Sequence, residues 1–171
     1  MRPRHVLFVV LMIVTVAALL PIAFGVDVSS CDWHEDFDRK GDPASRALVE
    51  GQFGLSVKAG DAEVTKELRA AIEERLRAGG ITTIVDNPVT RPRADIVIEE
   101  ARLRWLPFYA SVATRERVLL TRQGRGADAS GLDSKATLDG TCLGLVSPRA
   151  WRARLVDHLA DQAAHGILPE R

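Results

Sequence analysis

A chain of 171 residues in which 23 Lys and Arg balance 23 Asp and Glu has neither the basic field that draws nucleic acid nor the acidic excess that collects cations. Nucleic acid is therefore not expected as a partner. Less its apolar leader, the chain keeps about 140 residues, enough for one hydrophobic core and too few for two.

The first element is a leader. Residues 6–26, VLFVVLMIVTVAALLPIAFGV, run 21 positions without a charge, which at 1.5 Å per residue matches a hydrocarbon layer ~30 Å thick. Arg2 and Arg4 precede the run, while Asp27, Asp32, Glu35, Asp36 and Asp38 follow it. That asymmetry holds the N-terminus in the cytoplasm and exports the rest. Residues 1–26 thus read as a signal peptide or membrane anchor, and the remainder as extracytoplasmic, periplasmic or on the outer surface of a membrane. Three fates stay open. Ala23 and Gly25 supply the small residues a signal peptidase reads, the length of the run favours retention as an anchor, and Val28-Ser29-Ser30-Cys31 loosely follows the pattern that precedes an acylated cysteine.

Cys31 and Cys142, the two cysteines, can be bridged in an oxidising compartment, tying the start of the exported part to a late strand. Bridging competes with acylation of Cys31, and without a C-x-x-C motif thiol catalysis is not expected.

Residues 27–46 (DVSSCDWHEDFDRKGDPASR) are charged and poor in apolar residues, so they are assigned as an irregular arm or linker. Within them Asp36, Asp38 and Gly41 echo a calcium loop, but Lys40 takes a ligand position and Ala47 replaces the closing Glu. Residues 47–171 form the α+β extracytoplasmic domain. Val49, Gly51, Phe53, Leu55 and Val57 alternate with polar residues in a half-buried strand. Asp61 then caps a helix whose stripe is Val64, Leu68, Ala71, Ile72 and Leu76, with Arg69, Glu73 and Arg77 spaced for ion pairs and Gly79-Gly80 as the stop.

A short strand follows over 81–85 and a turn over 87–93. From Ala94 to Trp105 the alternation changes phase around Glu99-Glu100, which predicts a β-bulge with the two carboxylates on opposite faces. Leu106-Pro107 interrupts pairing, and Phe108, Ala110, Val112, Val118 and Leu120 continue in a long strand to Arg122. Residues 123–133 read as a turn and 136–146 as a last strand. Ser147-Pro148 starts a closing helix with Trp151, Leu155, Leu159 and Ala163 inward, ending at Gly166. The order β-α-β-β-β-β-α specifies an α+β fold: a mainly antiparallel sheet of about five strands with two helices on one face and a parallel pair from the first β-α-β unit.

No motif for chemistry stands out. A G-x-S-x-G elbow and a Gly-rich phosphate loop are missing, so no catalytic, cofactor or metal residue is assigned. His34, Glu35 and Asp36 are sequence neighbours that would not converge on a metal, and His158 and His165 read as surface residues of the closing helix. The one suggestive cluster is Trp105, Phe108 and Tyr109 at a strand break, bordered by Arg102, Arg104, Arg115 and Arg117, since aromatics with arginine make up interface hot spots.

A leader ending near a cysteine, then strand, helix and long strands, with Arg93-Ala94-Asp95-Ile96-Val97-Ile98 opening the third, resembles small bacterial envelope lipoproteins. These include the lipopolysaccharide-assembly lipoprotein class and related families of unknown function. The resemblance covers residues 47–165 as an order of elements and assigns no functional residue. The expected function is a non-enzymatic cell-envelope subunit, accessory or for assembly, that presents a sheet face or edge to a protein partner and meets the membrane through its N-terminal segment. The alternative is a periplasmic module binding a small ligand between sheet and closing helix.

Overall fold

Alternating apolar residues on Phe53, Leu55 and Val57, on Ile96, and on Val118 and Leu120 need a cover, and two amphipathic helices supply it. In the computed structural model the described residues are 3–40, 52–121 and 132–168, with side chains described from Phe8 and, in the first strand, as far as Asp38. The elements are α1 (Pro3–Ala23), β1 (Val28–Lys40), β2 (Gln52–Lys58), α2 (Ala62–Ala78), β3 (Thr83–Val85), β4 (Arg93–Leu106), β5 (Tyr109–Thr121), β6 (Leu132–Leu145) and α3 (Pro148–Ile167). The strands form one sheet in the order β1-β6-β5-β4-β2-β3. β2 runs parallel to both β3 and β4, and every other pairing is antiparallel. The fold is α+β, as expected.

The helices begin and end where local chemistry directs. Asp61 accepts from the Val64 N–H at 2.9 Å to cap α2, and Ser147 caps α3 with Pro148 at its first position. Glu73 receives Arg69 and Arg77, each at 3.0 Å, as the i,i+4 spacing predicts. Leu68, Ile72 and Leu76 of α2 and Trp151, Leu155, Leu159 and Ala163 of α3 turn inward. Across the α2–α3 seam, Arg75 binds Asp157 and Asp161, and Arg152 binds Glu63 and Glu67. These carboxylates are largely solvated, so the seam contributes orientation more than stability.

One expectation fails. Residues 28–40 are not an irregular arm but β1, an edge strand paired along its whole length with β6, from Val28 opposite Leu145 to Lys40 opposite Asp133. Cys31, Trp33 and Phe37 do alternate toward α3, but Glu35 shares their phase and the intervening residues are charged, so the period of two is hidden by polarity. The sheet consequently has six strands rather than about five. Residues 41–46, the expected strand start at 49–51 and most of the predicted 123–133 turn lie outside the described residues.

Trp33 lies across Gly140, where an added Cβ would come within 2.4 Å of its ring. It also stacks on Trp151 and on the His158 imidazole. The expected bridge is present: Cys31 is bonded to Cys142 directly across the β1–β6 ladder, closing a sequence separation of 111. A loop of that length predicts that replacing both cysteines by Ala costs about 4 kcal/mol. The melting temperature should then fall by roughly 10 °C, measured by circular dichroism on the oxidised protein and the Cys31→Ala/Cys142→Ala variant.

Candidate interaction surface on the open sheet face

With both helices on one side, alternation along the strands leaves the other face open. The pairing registers place its residues in rows across β4, β5, β6 and β1. Nearest the C-terminal end of α1 comes Leu106, Tyr109, Leu143 and Ser30, beside Leu145 and Val28. The next row is Arg104, Ser111, Thr141 and Asp32, followed by Arg102, Ala113, Asp139 and His34, then Glu100, Arg115, Thr137 and Asp36. The face is therefore basic along the outer half of β4 and acidic along β1.

The proposed cluster divides on this frame. Arg102, Arg104, Arg115 and Arg117 all sit on the open face. Arg115 reaches Glu100 at 3.4 Å, and Arg117 grips both Asp133 oxygens at 2.9 and 2.7 Å, with Glu99 4.0 Å away. Arg102 and Arg104 are exposed and have no ion-pair partner among the described residues. Tyr109 is half-buried in the first row and Phe108 is exposed in the turn. Trp105 belongs elsewhere: it lies on the helix side, and its Nε1–H donates to the Val146 carbonyl at 3.0 Å. It locks the β4–β5 hairpin to the end of β6.

The bulge lies where expected, between Ile98 and Glu100. It does not separate the two carboxylates, because the extra residue returns Glu99 to the face of Glu100, and both engage arginines of β5. On β1, His34 and Asp36 share the open face while Glu35 turns to α3 and meets His158 Nδ1 at 2.7 Å, so the three cannot converge. His165 contacts the Phe37 ring edge-on. The two α3 histidines thus hold β1, and among the described residues no cluster of three or more His, Cys, Asp or Glu could hold a metal.

Two features escaped sequence reasoning. The first is a clamp at the start of the domain. Asp27 accepts from Arg154 at 2.8 Å, from Ser29 at 2.8 Å and from the Ser147 N–H at 3.0 Å. Partial burial works against the charge, yet these hydrogen bonds and the guanidinium outweigh it and hold the carboxyl below its usual range. The second is Glu116, buried on the helix side of β5 opposite Ala136, with neither carboxyl oxygen hydrogen-bonded. Thr114, Ser134 and Gln162 each also carry a buried oxygen without a partner. The signal was present: Ala110, Val112, Val118 and Leu120 set a phase that includes 116.

Hollows lie on both sides of the sheet. On the open face, one of about 280 Å³ is lined by Glu100, Arg102, Arg115, Thr137 and Asp139. On the helix side, a groove of about 420 Å³ between β1 and α3 is lined by Glu35, Phe37, Asp161, Gln162 and His165.

Compared with known protein families and with curated proteins, the chain matches none. Solved structures do match. A PelC dodecamer from Paraburkholderia phytofirmans aligns with a TM-score of 0.51 and 15% identity, over 80% of this chain and 100% of that one. The likeness is one of fold. A minor lipoprotein from Acinetobacter baumannii aligns with a TM-score of 0.40 and 15% identity, over 68% of this chain and 89% of the other.

Burial raises the Glu116 carboxyl from an ordinary 4.5 to about 8, so the folded state holds a proton that the unfolded state releases. Its stabilisation is complete below pH 4.5 and is lost as pH rises to about 8, at roughly 1.4 kcal/mol per pH unit. Glu116→Gln should remove that slope and raise the melting temperature above the parent's at pH 7 to 9. Thermal denaturation of both proteins across pH 5 to 9 checks this.

Proposed function

We propose that this chain is a non-enzymatic cell-envelope protein, an accessory or assembly subunit that offers its open sheet face and edges to a protein partner at a membrane surface. The observation that carries the reading is the charge division of that face, with Arg102 and Arg104 unneutralised at one side and Asp32, Asp36 and Asp38 at the other.

The edges match the charges. β2 pairs with β4 only as far as Val97, and no described residue continues that ladder along Glu100–Leu106. β1 has no described partner beyond β6. β1 and β4 run in opposite directions, so a second copy set alongside would pair antiparallel and bring its acidic β1 to Arg102 and Arg104. Such a contact is head-to-tail and closes into a ring when the rotation allows. A neighbour in fold that is a dodecamer supports a second copy as the partner. The bridged cysteines support an oxidising compartment, and the apolar run of residues 6–26 supports attachment through α1. The sulfur that acylation of Cys31 would need is held in the bridge.

Cross-linking and mass photometry of the intact chain in mild detergent test the reading. The parent should form assemblies of more than one copy, and Arg102→Glu/Arg104→Glu, at two exposed positions, should weaken association at least tenfold. A chain that stays monomeric and uncross-linked at every concentration, alone and with envelope extract, would overturn it. The groove between β1 and α3 favours a second reading, a small-ligand module. A thermal-shift screen separates the two, since a ligand at 100 times its Kd adds about 2.7 kcal/mol.

A further inference from the structure

Only Phe24, Gly25, Val26 and Asp27 separate α1 from β1, so the two elements lie within about 18 Å along the chain even when it is fully extended. The actual junction is tighter. The N–H groups of Phe24 and Val26 both return to the Leu20 carbonyl, at 3.1 and 3.4 Å. Gly25 supplies the left-handed turn at φ 64, a conformation that costs glycine little. Asp27 is then fixed to α3 by Arg154 and the Ser147 N–H. Whatever surface α1 occupies, the first row of the open face must stand close to it.

That row differs from the rest of the face. Val28, Leu106 and Leu143 are 69%, 60% and 61% exposed, Phe108 in the adjoining turn is 43% exposed, and Phe24 at the junction is 77% exposed. Tyr109 lies among them. The hairpin tip is also held in place, because Val146 N–H donates to the Pro107 carbonyl at 2.9 Å and Gly144 N–H to the Phe108 carbonyl at 3.2 Å. One row further from α1 stands Arg104, and two rows further Arg102, both exposed. An apolar rim with an aromatic residue, backed by arginines one and two rows away, is the profile of a protein surface seated at the boundary between acyl chains and headgroups.

We infer that the end of the sheet next to α1 is a lipid-docking surface. Val28, Leu106, Phe108 and Leu143 enter the interface of the bilayer that α1 occupies, with Arg104 at the level of the lipid phosphates. This rests on α1 being retained in a membrane, and it goes further by fixing the sheet's orientation: strands β4 and β5 stand on the bilayer by their hairpin, Asp32 shares the row of Arg104, and Asp36 and Asp38 of β1 stand two and three rows further out.

The full chain, reconstituted in phosphatidylcholine–phosphatidylglycerol vesicles, tests the inference. An environment-sensitive fluorophore is placed in turn at Phe108→Cys, Leu143→Cys and, at the far end of the sheet, Lys135→Cys. Labels at 108 and 143 should be quenched by lipids spin-labelled near the headgroup, and their quenching by aqueous iodide should be at least threefold weaker than at 135. Two positions, one in the β4–β5 turn and one on β6, guard against a folding defect in either variant. Equal iodide access at all three sites in protein that floats with the vesicles would overturn the docking surface and leave the anchor standing. Protein that does not float would overturn both.

Discussion

The β1–β6 ladder is the constraint on which the rest depends. It holds thirteen residues that carry more charge than hydrophobic surface, and their own burial would hardly keep them in place. Three things compensate: a covalent staple at Cys31 and Cys142, the Trp33 ring seated in the space of a glycine, and Asp27 bound to the start of α3. With β1 docked, the outer side of α3 gains Trp33 and Phe37 as neighbours, and the direction in which α1 leaves the domain is set. Without it the sheet would end at β6 and Trp151 would lose the ring stacked on it.

Much of this was legible. Strands with one wet face and helices with one apolar stripe announce themselves by period, so β4, β5, α2 and α3 were found close to their true bounds, together with the end of β2, both caps and the bulge. Residues 28–40 of the predicted arm were misread for a physical reason. Its inward residues include Glu35, which is satisfied by an imidazole on α3, a partner 123 positions away that no local pattern reveals. Glu99 and Glu100 were misplaced because simple alternation ignores what a bulge does to the residue it inserts. Their pairing with β5 arginines is a consequence of register, which sequence does not display. Of the aromatic cluster, composition alone could not tell that Trp105 is a lock between strands while Phe108 faces solvent.

Glu116 shows the opposite case, in which the pattern pointed inward and chemistry argued against it. Its neighbours in phase are aliphatic, and a carboxyl among them survives by keeping its proton. The layer beneath α3 is thus partly polar, with Thr114, Ser134 and Gln162 in it. Such a layer rewards α3 less for packing than an aliphatic one would, and makes its seating on the sheet depend more on the contacts at its two ends, Asp27 at the first and Phe37 with His165 at the last.

The distance along the chain between the bridged sulfurs bears on the order of assembly. A polypeptide emerges from its N-terminus, so Cys31 waits as a thiol while the 111 positions to Cys142 follow, and β1 has no ladder to join until β6 exists. The first strand made pairs with the last one made. During that interval its thiol and unpaired backbone are open to any other chain nearby, and the aspartates along its length, by repelling their like, deter such encounters until the proper neighbour arrives.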